Sequence, residues 1–401
     1  MFIQKKNILV ITELFPNESC TYLGSFVYNQ LDYLKKYYNI TLIVPRYFGF
    51  KIFYSRKFIK DGFTVYNMRQ PSLFLSIVRR LFDIDKTKIS SLSKELINKK
   101  ISKLAKKINK RKHFDLIVGH ESGIGDKSCF VGYELHIPTI FHLHGIFEYH
   151  KKGFGEKSME QILLNLEKAN QIISVSNVAI NSYKNNGLKN QNISIIPNLI
   201  KNEETTVLLD KKWKDIIKNK KVILSVGWLV KEKKVDQIIA MAEKLRQRKD
   251  FVVLIIGQGE EENNYAQQII DKHLENIVYI VGPIKPNKIA AFYKACDFLI
   301  HPSTVDSFSM VCLEAMSYGK PIIYNKNIGI AEYIEDGKEG FVVEPNNEQQ
   351  LFEKTVILLD DNKQKDTMGV AAHNTSLKFK SEIIGEKIKE IYEKQITAKS
   401  K

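Results

Sequence analysis

Two short apolar runs, Phe298-Leu299-Ile300 and Ile322-Ile323-Tyr324, are separated by one polar loop and one helical segment, and this unit constrains the fold more than any other feature of the chain. The first run breaks at His301-Pro302. A loop carrying Asp306 follows, then a helical stretch carrying Glu314, which Gly319 and Pro321 close. A helix start presents unpaired backbone N–H groups, so a strand, a loop and a helix N-terminus form a ready site for phosphate. Carboxylates on the loop, and a turn or two into the helix, accept hydrogen bonds from hydroxyl groups. Phosphate beside a polyhydroxyl group describes a nucleotide sugar.

Similar units precede it. Residues 7–11 form an apolar run that leads through Pro16 and Gly24 into a segment with Val27, Leu31 and Leu34 at helical spacing. Further runs at 40–44, 115–118, 139–145, 169–176 and 193–196 continue the pattern up to Pro197-Asn198. Residues 201–221 are charged and carry no strand pattern, which places an interdomain connection at 199–220. A second series then begins at 221–227 with Gly227, and continues through 251–256 with Gly257, 277–281, the opening unit and 340–343. The expected architecture is α/β, with two doubly wound domains at 1–198 and 221–375 and a terminal helix at 376–401 that packs back towards the first.

Length and charge bound the rest. The 401 residues suffice for two cores, and 44% hydrophobic with 26% charged residues describes a globular chain. No apolar run approaches the roughly 20 residues of a membrane span, and the first residues lack a signal peptide's apolar core, so a cytosolic protein is expected. Four cysteines, Cys20, Cys129, Cys296 and Cys312, form no CxxC pair and read as buried free thiols. Residues 1–200 hold 30 Lys and Arg against 15 Asp and Glu, whereas residues 201–401 hold 31 against 30. That asymmetry suggests an anionic partner for the first half, such as an acidic membrane face or a phosphorylated acceptor, with a solvated basic surface as the plain alternative. Residues 72–82 mix apolar bulk with Arg79 and Arg80, as a surface-seeking helix would. Asp83 and Asp85 have the DxD form of a metal motif but lack a preceding apolar strand, and read as surface charge. His142 and His144 share one face of an extended strand, with His150 nearby; no fourth ligand has convincing spacing, so no metal site is assigned.

Together these pieces resemble the retaining glycosyltransferases of family four, which have the GT-B fold of two Rossmann-like domains facing an interdomain cleft. The resemblance rests on Asp306 and Glu314 at the spacing of the family's acid pair, His301-Pro302-Ser303 before them, Glu314-Ala315-Met316 and Gly319-Lys320-Pro321 after, and Gly340 and Pro345 downstream. Phe15-Pro16, Gly24, His144-Gly145, Val175-Ser176 and Pro197-Asn198 match more weakly. The resemblance implies that Glu314 binds the donor's ribose and that Asp306 meets the hydroxyls of the transferred sugar. It further implies that amides from Phe308 through Ser309 and Met310 to Val311 hold the diphosphate. Lys233 matches the lysine that neutralises the leaving diphosphate, and His144 a histidine near the reacting sugar, which makes Asp306, His144 and Lys233 the candidate catalytic set. Gly24, Gly227, Trp228, Gly257, Pro302 and Ser303 complete the implied donor contacts. No metal or other cofactor is implied, because lysine and helix amides supply the positive field; the nucleotide sugar is a substrate.

Several positions depart from the family pattern. Trp228 stands where Arg follows the glycine, which leaves a diphosphate contact missing or moved to Lys231 or Lys234. Asp306 replaces the usual Glu, Ser309 a common Gly, Leu199 a Gly after Asn198, and Phe147 an acid. The expected activity is retaining transfer from a nucleoside diphosphate sugar to a polysaccharide or lipid-linked oligosaccharide, by a protein at the inner face of a membrane. A nucleotide-sugar epimerase or hydrolase, or a non-catalytic partner subunit, would fit the same fold. Nucleic acid is not an expected partner, since no reader module accompanies the charge.

Overall fold

The computed structural model describes residues 4–16, 23–46, 57–69, 86–201 and 207–398. The surface-seeking stretch at 72–82, the Asp83/Asp85 pair and Cys20 lie outside the described residues. The chain divides into two compact units, one of residues 1–199 with 381–401 and one of residues 200–380.

The first unit is built on β1 (Lys6–Ile11), β2 (Tyr38–Arg46), β3 (Phe58–Lys60), β4 (Phe63–Arg69), β5 (Leu116–His120), β6 (Thr139–Leu143), β7 (Gln171–Ser174) and β8 (Ile193–Ile195). Their order is β3-β4-β2-β1-β5-β6-β7-β8, parallel throughout except for the β3–β4 hairpin at one edge. Central strands of a parallel sheet are covered on both faces, and β5 and β6 are accordingly buried along their whole length. Helix Lys86–Asn109 covers one face through Ile101, Ala105 and Ile108, packed on Leu9, Ile11 and Ile117.

Helix Ser381–Ala398 completes this unit, although it follows the whole of the second one in the chain. Ile384, Ile388, Tyr392 and Ile396 recur at helical spacing and are buried. A Cβ on Gly385 would lie 2.2 Å from the Tyr33 ring, so only glycine lets the helix approach this closely. Tyr33 and Tyr37 both donate hydrogen bonds of 2.7 Å to Glu386.

The second unit carries β9 (Lys221–Val226), β10 (Phe251–Ile256), β11 (Val278–Gly282), β12 (Phe298–His301), β13 (Ile322–Asn325) and β14 (Gly340–Val343). All pair in parallel in the order β11-β10-β9-β12-β13-β14. Counted within the unit this is the 3-2-1-4-5-6 order of a doubly wound fold, whose strand direction of travel reverses between β9 and β12. Ligands of such sheets bind outside the carboxyl ends of the strands at that reversal. The loops after β9 and β12 are the ones that carry Gly227, Lys233, Pro302 and Asp306.

Candidate active site

The site begins with backbone geometry. After β9 the chain turns at Gly227, and after β10 at Gly257; a Cβ on Gly257 would lie 1.8 Å from the Gly227 carbonyl oxygen. Gly257 is therefore required by the contact of two backbones. The β9 loop continues through Trp228, which is 54% exposed, into a 3-10 turn Lys231–Lys233. The β12 loop is sewn to that turn: the Thr304 amide donates to the Glu232 carbonyl at 3.1 Å, and the Ser303 hydroxyl reaches the Val305 carbonyl at 3.0 Å and the Glu232 carbonyl at 3.3 Å. Ser303 is fully buried, and its hydroxyl joins the two loops. Pro302 is buried beside it.

The junction sets Lys233 against Asp306. Lys233 Nζ donates to Asp306 Oδ2 at 2.7 Å, and His301 Nε2 lies 3.2 Å from the same oxygen. Oδ1 accepts from the amides of Ser309 at 3.1 Å and Phe308 at 3.4 Å. Burial alone would raise the carboxyl's pKa, but the Lys233 charge and the His301 ring override it and hold Asp306 far below the usual carboxylate range. His301 is lowered, first by its own burial, with Asp306 opposing. Asp306 is thus a permanent anion that organises its loop. This modifies the expectation for the diphosphate cradle. The Phe308 and Ser309 amides are already engaged, which leaves those of Met310 and Val311, in the first turn of helix Met310–Ser317, without an intrahelical acceptor.

Ser309, at the N-terminal boundary of that helix, has φ 75° and ψ 81°. This is left-handed backbone that favours glycine, and it explains why a glycine is the family's usual choice there. Ser309 Oγ donates to Cys312 Sγ at 3.2 Å. Five residues into the helix, Glu314 is half-buried and accepts a 2.8 Å hydrogen bond from the Tyr293 hydroxyl. Desolvation pushes its carboxyl up to about 7, with the Tyr293 bond opposing the rise. Cys129, Cys296 and Cys312 are free and buried, each thiol pushed up to about 12 by burial. Residues 227–314 of this set belong to the second unit, whereas Gly24 and His144 belong to the first. Gly24 has φ 66°, and a Cβ there would meet the Leu14 carbonyl oxygen at 2.4 Å; it starts helix Ser25–Leu34.

His144 follows β6 in a stack of three buried rings. His120, His142 and His144 lie within 13° of parallel, and His120 Nδ1 is 3.1 Å from His144 Nε2. His144 Nδ1 makes no hydrogen bond of normal length among the described residues, although the Asn198 side chain is near enough to oppose the fall of its pKa, and His142 bonds the Tyr392 hydroxyl at 2.9 Å. Burial lowers all three, His144 to about 4, so the stack is neutral at pH 7. The three rings place ligand atoms within 4.8 Å of one another. His150, which the sequence groups with His142 and His144, is elsewhere. Its Nε2 pairs with Glu121 at 3.1 Å and its Nδ1 with the Tyr183 hydroxyl at 2.5 Å, and Tyr183 in turn meets Ser122 at 2.6 Å. Glu121 has φ 69°, a strained conformation for a glutamate at a strand end. Sequence reasoning missed Glu121, Tyr183, Tyr293 and the role of His301. Only His301, immediately after an apolar run and five residues before Asp306, left a usable signal.

Two family models cover most of the chain: "Glycosyltransferase Family 4" at residues 27–204 and "Glycosyl transferases group 1" at residues 208–375. The chain belongs to the group 1, family 4 glycosyltransferases. Among its relatives is the glycosyltransferase MJ1178 of Methanocaldococcus jannaschii, 28% identical over 73% of this chain and 78% of that one. Another is the N,N'-diacetylbacillosaminyl-diphospho-undecaprenol alpha-1,3-N-acetylgalactosaminyltransferase of Campylobacter jejuni, 26% identical over 62% and 68%. The crystal structure of Anabaena HepE in complex with UDP and glucose shares the fold, with a TM-score of 0.70 at 18% identity over 97% of this chain and all of that one. The protein is thus a glycosyltransferase with the GT-B fold.

Proposed function

We propose that the enzyme transfers a hexosyl or related sugar, with retention, from a nucleoside diphosphate donor to a polysaccharide or lipid-linked oligosaccharide acceptor of surface glycan synthesis. The observation that carries this reading is Lys233 held 2.7 Å from Asp306, on the loop that leads into helix Met310–Ser317, whose first-turn amides at Met310 and Val311 have no intrahelical acceptor. A sugar–phosphate bond breaks with charge accumulating on phosphate, so an ammonium and helix-start amides are the electrostatic device such a step needs. Lys233 would exchange its bond to Asp306 for the departing diphosphate, and Asp306, still held by His301 and two amides, would offer the freed lone pairs to sugar hydroxyls. Glu314 would accept from the ribose.

The acceptor class rests on the basic first half and on the Campylobacter relative, whose name specifies a diphospho-undecaprenol acceptor. Among the described residues no helix is long and apolar enough to cross a membrane. We place the enzyme at the cytoplasmic face of an anionic membrane, where a basic surface adds about 1 kcal/mol of attraction per lysine or arginine near the lipid.

Thermal denaturation with uridine, guanosine and adenosine diphosphates tests the donor half. A diphosphate present at a hundredfold its Kd stabilises by about 2.7 kcal/mol, so one of the three should raise the melting temperature measurably. Absence of any shift would remove the reading. Product analysis with the donor alone and with a lipid-linked acceptor then tests transfer; an epimer or free sugar as the main product in both would replace it.

A further inference from the structure

Glu314 is held from outside its own helix. Tyr293, on helix Pro286–Ala295, is 1% exposed, and its hydroxyl donates to Glu314 Oε2 at 2.8 Å. The ring is itself fixed, lying 9° from parallel to Tyr318 with centroids 5.8 Å apart. Glu314 Oε1 has no partner among the described residues. We propose that Tyr293 is a positioning residue of the donor site, which occupies one carboxylate oxygen and so presents the other, in one orientation, to the hydroxyls of the donor's ribose. This rests on the reading of Glu314 as the ribose acceptor.

A phenol that donates to a carboxylate favours its charged form, against a site whose desolvation pushes Glu314 up to about 7. Other titratable groups stand on the elements packed around it: Cys312 on its own helix, His301 on β12, Tyr324 on β13 and His373 on helix Asn362–Ser376, which bonds the Ser317 carbonyl. Tyr293 is the group that bonds the carboxylate. Removing its hydroxyl while keeping its ring should therefore move the ionisation of Glu314 upward and loosen its orientation, without touching the diphosphate contacts.

The test measures the Kd of UDP and of 2′,3′-dideoxy-UDP from pH 5.5 to 9 for the wild type, Tyr293→Phe and Glu314→Gln. The dideoxy probe keeps the diphosphate, whose own second ionisation falls in the same range at about 6, and lacks both ribose hydroxyls. Wild-type affinity for UDP, corrected by the dideoxy probe, should fall as pH drops through 7. Tyr293→Phe should move that midpoint upward by about one pH unit, which is about tenfold in affinity on the acid side, while leaving dideoxy binding unchanged. Glu314→Gln should bind UDP weakly and without the corrected pH dependence. A midpoint unmoved in Tyr293→Phe, with Glu314→Gln behaving as expected, would overturn the role of Tyr293 alone. UDP binding unaltered in Glu314→Gln would overturn the ribose assignment beneath it. A loss in Tyr293→Phe equal for both probes would make the tyrosine a packing residue and also overturn the proposal.

Discussion

Asp306 accepts hydrogen bonds from Lys233 on the β9 loop, His301 at the end of β12, and the amides of Phe308 and Ser309 on its own loop. Asp306→Asn keeps the shape but removes the charge that Lys233 faces. At pH 7 the variant should lose about 2–3 kcal/mol, the range for breaking a largely buried, hydrogen-bonded pair. The pH dependence has a definite sign. A carboxyl depressed in the folded state contributes stability that is full above its unfolded pKa near 4 and is lost as pH falls towards the depressed value. Denaturant titrations should therefore show the gap between wild type and variant narrowing below about pH 4. Lys233→Ala should act differently, on turnover. Loss of one donor to a developing oxyanion typically lowers kcat by about 10²–10³, and steady-state kinetics at saturating donor would show it. Ser309→Gly tests strain. Left-handed backbone costs a non-glycine residue about 1–2 kcal/mol, partly offset by the greater freedom of glycine in the unfolded chain. The variant should be up to about 1 kcal/mol more stable, where Ser309→Ala should gain nothing. The two acids could be named in the sequence from the spacing of their motif, and Lys233 only through the family resemblance. The contact of Lys233 with Asp306 could not be read there, because it depends on Thr304 and Ser303 bonding the Glu232 carbonyl across a separation of some seventy residues.

At the scale of elements, glycine positions separate local from tertiary demands. Helix Met310–Ser317 ends in a Schellman motif: the Lys320 amide bonds the Ala315 carbonyl at 3.0 Å, the Gly319 amide bonds the Met316 carbonyl at 2.9 Å, and Gly319 has φ 70°. A Cβ there would meet nothing closer than 3.6 Å, so Gly319→Ala bears only the conformational cost of about 1–2 kcal/mol. Gly257→Ala would force a Cβ to within 1.8 Å of the Gly227 carbonyl oxygen and must separate β9 from β10 at their ends. Chemical denaturation should rank Gly257→Ala as much the more damaging of the two, and nucleotide binding should fail with it because the β9 loop carries Lys233. The Gly319 stop could be read from sequence, since Gly, a basic residue and Pro follow an amphipathic run. The close approach at Gly257 could not, because it is a fact of strand pairing. The β3–β4 hairpin did leave a signal, the Asp61-Gly62 turn with φ of 51° and 88°, which the basic, mixed composition of the surrounding segment obscured. The terminal helix begins at Ser381 instead of 376, because the preceding helix runs to Ser376 and a 3-10 turn Leu377–Phe379 intervenes.

Over the whole molecule, each Rossmann-like sheet was visible in its apolar runs, but the chain's return to its first unit is a matter of burial. Helix Ser381–Ala398 buries Ile384, Ile388, Tyr392 and Ile396 in a unit whose other contacts to it come from 250 to 353 positions earlier in the chain. Each such side chain contributes about 1.5–3 kcal/mol when buried, so the four together contribute about 6–12 kcal/mol. That is as large as the whole stability of a typical domain, about 5–15 kcal/mol. Removing residues 381–401 should therefore unfold the first unit rather than loosen it. It would also uncover Tyr38, whose ring lies 6.0 Å from that of Tyr392, and leave His142 without the Tyr392 hydroxyl. The second unit keeps every strand of its own sheet and all of Lys233, His301, Asp306, Tyr293 and Glu314. Calorimetry of the truncated chain should show the loss of one unfolding transition, and hydrogen exchange should lose protection at 116–143 while retaining it at 221–256. Retention of protected β5 and β6 amides after truncation would show that the sheet stands without its terminal helix, and that the burial count overstates the helix's share.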